Sequence, residues 1–256
     1  MKIVAWNVNG LRAVYKKGFL SSLKQINPDI IGLQEVKVKK NQIPQRLVQI
    51  PGYQLVFNSA KRAGYSGTAV YTKIEPNSIN KTLGLKRFDD EGRLIELVFK
   101  DFILMNLYLP NGGRQKQDMD YKLKAYDRIF EYIKERKKLI LIGDFNIAHK
   151  EIDLARPKAN KNSTGFTPEE RKRIDRLLAL GLEDTFRIFN KERGNYSFWA
   201  YFAKSRERNI GWRIDYCFVS RDLVKSVKKA FILTGVLGSD HCPVGVKLSF
   251  DLGSYR

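Results

Sequence analysis

The chain has 256 residues, of which 47 are basic and 27 acidic, so its net charge is +20. This length can bury a substantial core, and an aromatic content of 12% supports one. No run of about 18 apolar residues occurs, so no transmembrane helix is expected.

The charge favours a polyanionic partner, because basic surfaces bind phosphate backbones in a salt-sensitive way. Surface lysines also serve solubility, so charge alone indicates no sequence preference. The chain enters a strand pattern at once, without a signal segment, and its only cysteines, Cys217 and Cys242, lie in strand patterns. We therefore expect free thiols, no membrane contact and a cytoplasmic location. No Pro/Gly/Ser-rich linker interrupts the chain, which predicts a single domain over residues 1–256.

Six apolar runs that predict buried strands each border on a carboxylate, an amide or a hydroxyl. In chain order these runs are 2–9, 29–35, 102–111, 139–146, 212–219 and 238–244. Further strands are predicted at 53–58, 68–72, 94–100, 227–233 and 244–250, the first three of them central in a sheet. Lys100 and Asp101 predict a tight hairpin, so at least part of the sheet is antiparallel.

Three segments between the strands repeat apolar residues with a period near 3.6, which predicts amphipathic helices. They are residues 10–26, with an interruption near Lys16–Gly18, residues 116–137, and a helix that begins at Thr167 and ends at Gly181. Thr167-Pro-Glu-Glu170 is a capping box with proline in the first helical position. Helices mixed with hairpins predict an α/β fold of two packed sheets with helices outside.

Polar groups at strand ends can converge at the rim of a sheet, where functional sites are common. The groups at these ends are Asn7, Glu35, Tyr108, Asp144, Asn146, Asp215, Asp240 and His241. Each has an ordinary alternative explanation, since Asp and Asn cap turns and Tyr is frequent in cores. Together, their oxygens suit Mg²⁺ or Mn²⁺ rather than zinc, and an Asp–His pair with a second Asp suits attack of water on a phosphodiester. The other histidine, His149, lies in a polar stretch and is expected to be structural.

Seven motifs in fixed order carry a resemblance that covers nearly the whole chain. They are Trp6-Asn-Val-Asn-Gly-Leu-Arg12, Leu33-Gln-Glu35, Gly64-Tyr-Ser-Gly67, Tyr108-Leu-Pro-Asn111, Gly143-Asp-Phe-Asn146, Gly211-Trp-Arg-Ile-Asp-Tyr216 and Ser239-Asp-His-Cys-Pro243. This set resembles the exonuclease III family of apurinic/apyrimidinic endonucleases. The resemblance implies a four-layered α/β sandwich of the DNase I type, in which two mixed β-sheets are flanked by helices. It also implies a monomer that cleaves double-stranded DNA 5′ to an abasic site, leaving a 3′-hydroxyl and a 5′-deoxyribose phosphate.

The resemblance implies a Mg²⁺ site, with Mn²⁺ as a substitute. Glu35 would be the main ligand, assisted by Asn7 or a water molecule. Asp240 would support the metal or the geometry of His241. Position 9 is Asn9, where some family members have Asp near the metal, so this contact departs from the pattern.

The resemblance also implies the roles of the groups around the phosphate. Asp144 would position or deprotonate the attacking water, with Asn146 nearby. Asp215 would orient His241, which contacts the scissile phosphate, and Tyr108 would add a hydrogen bond there. Family mechanisms differ over whether Asp144, His241 or Tyr108 is the base, and the sequence leaves this open.

Other residues would bind the DNA. Phe198, Trp212 and Ile214 would form an apolar pocket for a flipped deoxyribose that lacks a base. Further contacts with the duplex or its phosphates are expected from Asn9, Arg62, Tyr65, Arg114, Asn160 and Phe202. Ser163 stands where several relatives have Asn, which removes a second amide contact.

Three activities remain open at this point. The leading hypothesis is abasic-site cleavage, with 3′→5′ exonuclease and 3′-phosphodiesterase side activities. One alternative is a phosphatase or phosphodiesterase of the same fold that acts on a substrate other than DNA. Another is a non-catalytic nucleic-acid-binding protein, which would be expected to have lost part of the site.

Overall fold

A computed structural model describes residues 1–250 of the chain. Twelve strands occur in this part. They are β1 (Lys2–Asn7), β2 (Ile30–Gln34), β3 (Gln54–Asn58), β4 (Thr68–Thr72), β5 (Ser78–Asn80), β6 (Leu94–Val98), β7 (Ile103–Tyr108), β8 (Leu139–Asp144), β9 (Leu182–Asp184), β10 (Asp215–Ser220), β11 (Val227–Ile232) and β12 (Val244–Leu248).

Seven α-helices connect or flank these strands within residues 1–250. They are α1 (Leu11–Lys16), α2 (Phe19–Ile26), α3 (Gln45–Val48), α4 (Lys86–Asp90), α5 (Met119–Ile133), α6 (Pro168–Ala179) and α7 (Thr185–Phe189). Short 3₁₀ turns lie at Lys40–Gln42, Glu151–Asp153, Lys158–Asn160 and Arg221–Ser226. None of the helices in this part of the chain has the length and apolar character needed to span a bilayer.

The strands form two six-stranded sheets with the same pattern of directions. The first has the order β11-β12-β1-β2-β4-β3 and the second the order β5-β6-β7-β8-β10-β9. Each has one parallel pair at its centre, β1 with β2 and β7 with β8. All other neighbours are antiparallel, including the predicted β6–β7 hairpin.

The two sheets pack face to face around a shared apolar core. Ile3 and Val70 of the first sheet lie in one cluster with Leu104 and Ile142 of the second. On the outside, α1 and α2 cover the first sheet and α5 and α6 cover the second. Burial of each such aliphatic side chain stabilises the fold by roughly 1.5–3 kcal/mol. The predicted α/β fold of two packed mixed sheets flanked by helices is confirmed.

The three predicted helical segments are also confirmed, and their ends follow from local chemistry. The first segment breaks at Gly18, whose φ of 94° lies in the left-handed region and starts α2. Thr167 caps α6 by accepting a hydrogen bond from the Glu170 N–H, and Glu170 returns the contact.

Two strand predictions were wrong in position. The strand predicted at residues 53–58 as central is β3, which lies at the edge of its sheet. Residues 238–240 form a bend, His241 makes only an isolated bridge with Phe198, and β12 begins only at Val244. The cause is local, because Ser239 Oγ donates to the Asn7 carbonyl at 2.8 Å and accepts from the His241 N–H at 3.2 Å. These bonds compete with strand pairing.

Candidate active site

The sheets place polar side chains in cross-strand rows at one shared edge. Tyr108, Asp144 and Asp215 are direct partners on β7, β8 and β10, so their side chains leave the same face of the second sheet. Asn7 ends β1 and Glu35 directly follows β2 in the first sheet. The predicted convergence of these strand ends is therefore observed.

Asn7 joins the two sheets at this edge. Its Nδ2 donates to Glu35 Oε2 at 3.0 Å and to Asp144 Oδ2 at 2.8 Å. Its Oδ1 accepts the backbone N–H of Asn9 at 2.9 Å. The amide hydrogens of Asn7 thus face both carboxylates, while its oxygen is held by Asn9.

A lysine that no sequence motif indicated forms an ion pair with Glu35. Lys37 Nζ is 2.8 Å from Glu35 Oε1 and donates to Asn9 Oδ1 at 2.6 Å. Burial would raise the pKa of Glu35, but Lys37 outweighs it and the pKa lies below its ordinary value. Asn9 Nδ2 donates in turn to Asp240 Oδ1 at 3.0 Å. Asp240 is therefore linked to Glu35 through two side chains and does not lie directly on it.

His241 lies between two buried aspartates. Its Nδ1 is 2.8 Å from Asp215 Oδ2, and its Nε2 is 4.0 Å from Asp144 Oδ2. Because a carboxylate only accepts, Nδ1 carries a proton and donates it to Asp215. Burial alone would lower the pKa of His241, but Asp215, Asp144 and Asp240 outweigh burial and raise it to about 10.

Asp144 titrates together with this imidazole. Burial first, and then the negative charge of Asp215, raise the pKa of Asp144 to about 7. His241 retains its proton at higher pH than Asp144 does. Because these groups interact, their protons are lost in steps that belong to the whole cluster.

Tyr108 keeps its hydroxyl proton and can therefore donate a hydrogen bond. Burial, and then the nearby charge of Glu35, raise the pKa of Tyr108 well above its ordinary value. Behind it, the Arg93 guanidinium lies 4.5 Å from the Tyr108 ring centroid and donates to the Tyr108 carbonyl at 2.9 Å. Arg93 is buried and was missed, because no motif pointed to it.

Asn146 occupies a fixed turn beside Asp144. Its φ is 53°, and its backbone N–H donates to Asp144 Oδ1 at 2.8 Å. Its Nδ2 donates to the Leu109 carbonyl at 2.8 Å, and its Oδ1 accepts from Asn111 Nδ2 at 3.1 Å. The structure brings Asn146 next to Asp144, with its own amide engaged in the turn.

The predicted apolar pocket residues also come together. Phe198, Trp212 and Ile214 belong to one cluster, in which Phe198 and Trp212 remain partly exposed. The Phe198 ring centroid lies 4.8 Å from the His241 ring centroid. An apolar, partly open surface therefore borders the buried Asp–His–Asp cluster.

The remaining predicted DNA contacts lie outside the carboxylate cluster. The exposed Arg62 guanidinium lies 5.4 Å from the Tyr65 ring centroid, and Arg114 is also exposed. Phe202 is 75% exposed, which is unusual for an aromatic side chain. The Asn160 amide donates to the Arg156 carbonyl at 2.8 Å and accepts from Ser163 Oγ at 3.2 Å.

The second histidine and the two cysteines have the predicted structural character. His149 is buried, and its Nε2 is 2.7 Å from Asp175 Oδ1. Cys217 and Cys242 are buried free thiols, and burial raises the pKa of both well above the ordinary value. Such thiols are inert, so neither suits nucleophilic catalysis.

The donor atoms at this edge fit a hard divalent cation. Glu35 and Asp144 present carboxylate oxygens on either side of the Asn7 amide. Ligand atoms of Asp144, Asp215 and His241 also lie within 4.8 Å of one another. Carboxylate oxygens are the ligands that Mg²⁺ and Mn²⁺ prefer.

This edge of two packed sheets, with its carboxylates and buried imidazole, has the parts of a hydrolase that acts on phosphate esters. The model of the "Endonuclease/Exonuclease/phosphatase family" matches residues 4–241. An exodeoxyribonuclease of Bacillus subtilis (strain 168) is 45% identical over 249 residues, which cover 95% of this chain and 98% of that protein. A DNA-(apurinic or apyrimidinic site) endonuclease of Dictyostelium discoideum is 43% identical over 258 residues, covering 96% and 70% respectively.

A solved structure gives the same result. The structure of an AP endonuclease from Archaeoglobus fulgidus matches with a TM-score of 0.89 at 27% identity, covering 98% of this chain and 100% of that one. The chain therefore belongs to the endonuclease/exonuclease/phosphatase family, and within it to the exonuclease III type that its motifs predict. The DNase I-like fold class and the prediction of an enzyme are both confirmed.

Proposed function

We propose that the protein is a Mg²⁺-dependent DNA repair endonuclease that hydrolyses the phosphodiester 5′ to an abasic site, leaving a 3′-hydroxyl and a 5′-deoxyribose phosphate. The observation that carries the proposal is the buried Asp144–His241–Asp215 cluster, bordered by the apolar surface of Phe198 and Trp212. A hydrolytic centre beside an apolar recess suits a sugar that has no base to pair or stack.

Glu35 is the group best suited to hold the metal, because its carboxylate is ionised and lies at the edge where the two sheets meet. Asn7 and Asp240 would complete or support the site. When bound, Mg²⁺ would polarise the phosphate and stabilise the charge on the leaving oxygen. Lys37 pairs with Glu35 Oε1 at 2.8 Å, so the ammonium would share this carboxylate with the cation.

Asp144 is the general base in this proposal. A base acts best when its pKa is near the working pH, and the pKa of Asp144 is raised to about 7. Tyr108 retains its proton far above that pH, and His241 retains its proton up to about pH 10. Of the three candidates that the sequence left open, only Asp144 is therefore ready to take a proton from water at neutral pH.

His241 and Tyr108 are the donors to the phosphate. As an imidazolium held by Asp215, His241 directs its Nε2–H away from that carboxylate, where it can bind a phosphate oxygen. Tyr108 adds a neutral O–H donor from β7, which lies two strands away from Asp215 of β10. Asn146, fixed beside Asp144, would help to orient the attacking water.

DNA is the substrate class that charge and relationship favour. The net charge of +20 and the exposed side chains of Arg62, Arg114 and Phe202 suit a duplex phosphate backbone and its groove. Asn9 and Tyr65 would lie at the border between this surface and the site, and Asn160 would bind the target phosphate. The names of the relatives above support cleavage at abasic sites and an exodeoxyribonuclease activity. A 3′→5′ exonuclease and a 3′-phosphodiesterase activity would use the same centre.

We also propose that residues 1–256 form a single catalytic domain that works as a monomer inside the cell, with the DNA. The shared core of the two sheets supports one domain, and the free buried thiols suit a reducing compartment.

The test uses end-labelled duplexes that carry one tetrahydrofuran abasic analogue, one uracil or no lesion. Each is incubated with Mg²⁺ or with EDTA, and the products are sized and probed for a 3′-hydroxyl. We expect one cut directly 5′ to the abasic analogue, only with Mg²⁺, and none with His241→Asn. A phosphoinositide and a sphingomyelin assay run in parallel. Turnover of either lipid with intact abasic duplex would overturn the proposal in favour of a non-DNA phosphatase.

A further inference from the structure

A buried ion pair lies behind the turn that carries Asn146. Lys122 of α5 and Glu170 of α6 have no exposed side-chain surface, and Lys122 Nζ lies 2.5 Å from Glu170 Oε1. Taking both charges out of water costs several kcal/mol per ion, and apolar pairs of similar volume are often at least as stable. Packing of α5 against α6 alone therefore does not require an ion pair here.

The lysine contacts three separate segments of the chain. Besides Glu170, Lys122 Nζ donates to the Asn146 carbonyl at 2.7 Å and to the Asn111 carbonyl at 3.1 Å. Asn111 follows β7 and Asn146 follows β8, and their side chains also bond to each other at 3.1 Å. All three hydrogens of the ammonium are thus assigned, two of them to the loops that leave the central parallel pair.

Glu170 extends the same contact to a fourth segment. Its carboxylate accepts the Gly165 N–H at 2.9 and 2.8 Å and the Thr167 N–H at 3.0 Å. The Gly165 carbonyl in turn accepts the Ala148 N–H at 2.8 Å. The segment that leads from Asn160 to α6 is therefore tied to the turn after β8 by both partners.

We propose that Lys122 and Glu170 are a positioning pair, which sets the Asn146 turn and the 160–165 segment relative to Asp144. The inference rests on the proposed function, in which Asn146 orients water and Asn160 binds phosphate. An apolar pair could fill the same volume but could not bind two main-chain carbonyls. The pair fixes catalytic geometry and touches no substrate.

The first experiment separates position from stability. Burial lowers the pKa of Lys122 while Glu170 raises it, so either charge alone is unfavourable. Lys122→Met should therefore lower the melting temperature sharply. Lys122→Met with Glu170→Gln leaves no buried charge and keeps an acceptor for the Gly165 N–H. We expect it to melt well above Lys122→Met, and below the wild type only by the cost of the Asn146 and Asn111 carbonyls that lose their donor.

Activity should not return with stability. For the double variant we expect kcat on the abasic duplex to remain about 10–100-fold below wild type, as small misplacements of catalytic groups commonly cause, with KM within about threefold. Lys124→Met, which removes an exposed lysine of the same helix, should leave both constants unchanged. A stable double variant with wild-type kcat would overturn the positioning role.

A thermodynamic cycle tests the route through Asn146. If the pair acts by placing Asn146, the double substitution should lower kcat by less than about twofold in an Asn146→Ala background, because coupled residues are not additive. If the double substitution lowers kcat by the same factor in the Asn146→Ala background as in the wild type, the pair does not act through Asn146.

Amide exchange provides a readout that does not depend on catalysis. In the double variant, exchange of the Ala148 N–H should accelerate at least tenfold while that of core strand amides stays unchanged. If the Ala148 N–H of the double variant exchanges at the wild-type rate, or no faster relative to the core strand amides than in the wild type, the pair is not a positioning device. A wild-type protein that fails to cut abasic DNA would refute the proposed function instead, and the exchange result would still decide on the pair.

Discussion

Replacing Asp215 by asparagine should switch the charge of His241 at neutral pH. Asp215 is the largest favourable influence on the imidazolium, through both its charge and its hydrogen bond at 2.8 Å. Asn has nearly the same shape but no charge, and its amide can also donate to Nδ1 and favour the wrong tautomer. The substitution therefore tests electrostatics with little change in packing.

The size of the effect follows from the pKa of His241. A pKa of about 10 against an ordinary 6.5 corresponds to about 5 kcal/mol in favour of the imidazolium. This is the net result after burial, which opposes the charge. Without the Asp215 carboxylate, burial remains and only Asp144 and Asp240 oppose it. We expect the pKa of His241 to fall from about 10 towards its ordinary value, so that a larger fraction of the rings is neutral at pH 7.5.

Loss of the positive charge on His241 should reduce kcat by roughly 10²–10⁴-fold, as loss of an oriented and charged imidazole commonly does. Binding of the abasic duplex in EDTA should change little, since the surface lysines and arginines remain. Single-turnover cleavage and fluorescence anisotropy measure the two quantities separately.

The presence of only two histidines makes the titration direct. In metal-free protein labelled with ¹⁵N-histidine, His241 should titrate near pH 10, whereas burial lowers the pKa of His149 below 6.5. His149→Gln assigns the signals. Asp175→Asn is the matched control, because it removes the partner of His149 and should leave His241 unchanged. A wild-type His241 that titrates near 6.5, or an Asp215→Asn variant with unchanged pKa, would refute the electrostatic argument.

Four further outcomes are expected. Glu35→Ala should raise the Mg²⁺ concentration for half-maximal cleavage at least tenfold, because the main oxygen ligand is lost; an unchanged titration would remove Glu35 from the metal site. Asp144→Asn should retain affinity for abasic DNA while its cleavage rate falls by about 10²–10⁴-fold, as loss of a general base does; a near-normal rate would reject Asp144 as the base. Arg213 and Arg187 outweigh burial and lower the pKa of Asp153 to about 2, which contributes about 2 kcal/mol of stability. Because the folded-state pKa is the lower one, this contribution is present above about pH 4 and is lost as the pH falls through 2. In urea unfolding, the wild type should therefore lose about 1 kcal/mol more than Asp153→Asn between pH 7 and pH 3, and parallel pH profiles would contradict the ion pair. Finally, affinity for duplex DNA should fall steeply between 50 and 200 mM salt; a flat profile would argue against phosphate-backbone binding.

The longer amphipathic helices and the strands with apolar runs were predictable from sequence, and several short elements were not. The β4 strand was predicted with its observed bounds, and the capping box placed the start of α6, although that helix ends two residues before the predicted Gly181. By contrast, β5, β9, α3, α4 and α7 have only three to five residues each. Three strand residues, or fewer than two helical turns, show no clear apolar periodicity, so tertiary contacts determine these elements.

The candidate catalytic carboxylates were found because they stand beside apolar runs, which separates them from the surface charges of a basic chain. The supporting residues carry no such signal. Lys37, Arg93 and Lys122 are three among 47 basic residues, and only packing reveals that each contacts a functional segment. Asn7 also shows that contacts between the sheets cannot be predicted from sequence. Its place was predicted, but the contact of its amide hydrogens with Glu35 and Asp144 depends on how the two sheets meet.

The matching strand directions of the two sheets explain why one site can draw on the whole chain. Each sheet has a central parallel pair, and the carboxyl ends of both pairs meet at the same edge, which brings Asn7 and Glu35 opposite Tyr108 and Asp144. The antiparallel neighbours run the other way, so they contribute residues where they begin. Asp215 is the first residue of β10, and His241 precedes β12. Carboxylate and amide groups from carboxyl ends and the Asp–His pair from amino ends therefore converge at one edge. Since Asn7 of one sheet bonds to Asp144 of the other and to Glu35, small changes in sheet packing should alter metal binding and proton transfer together.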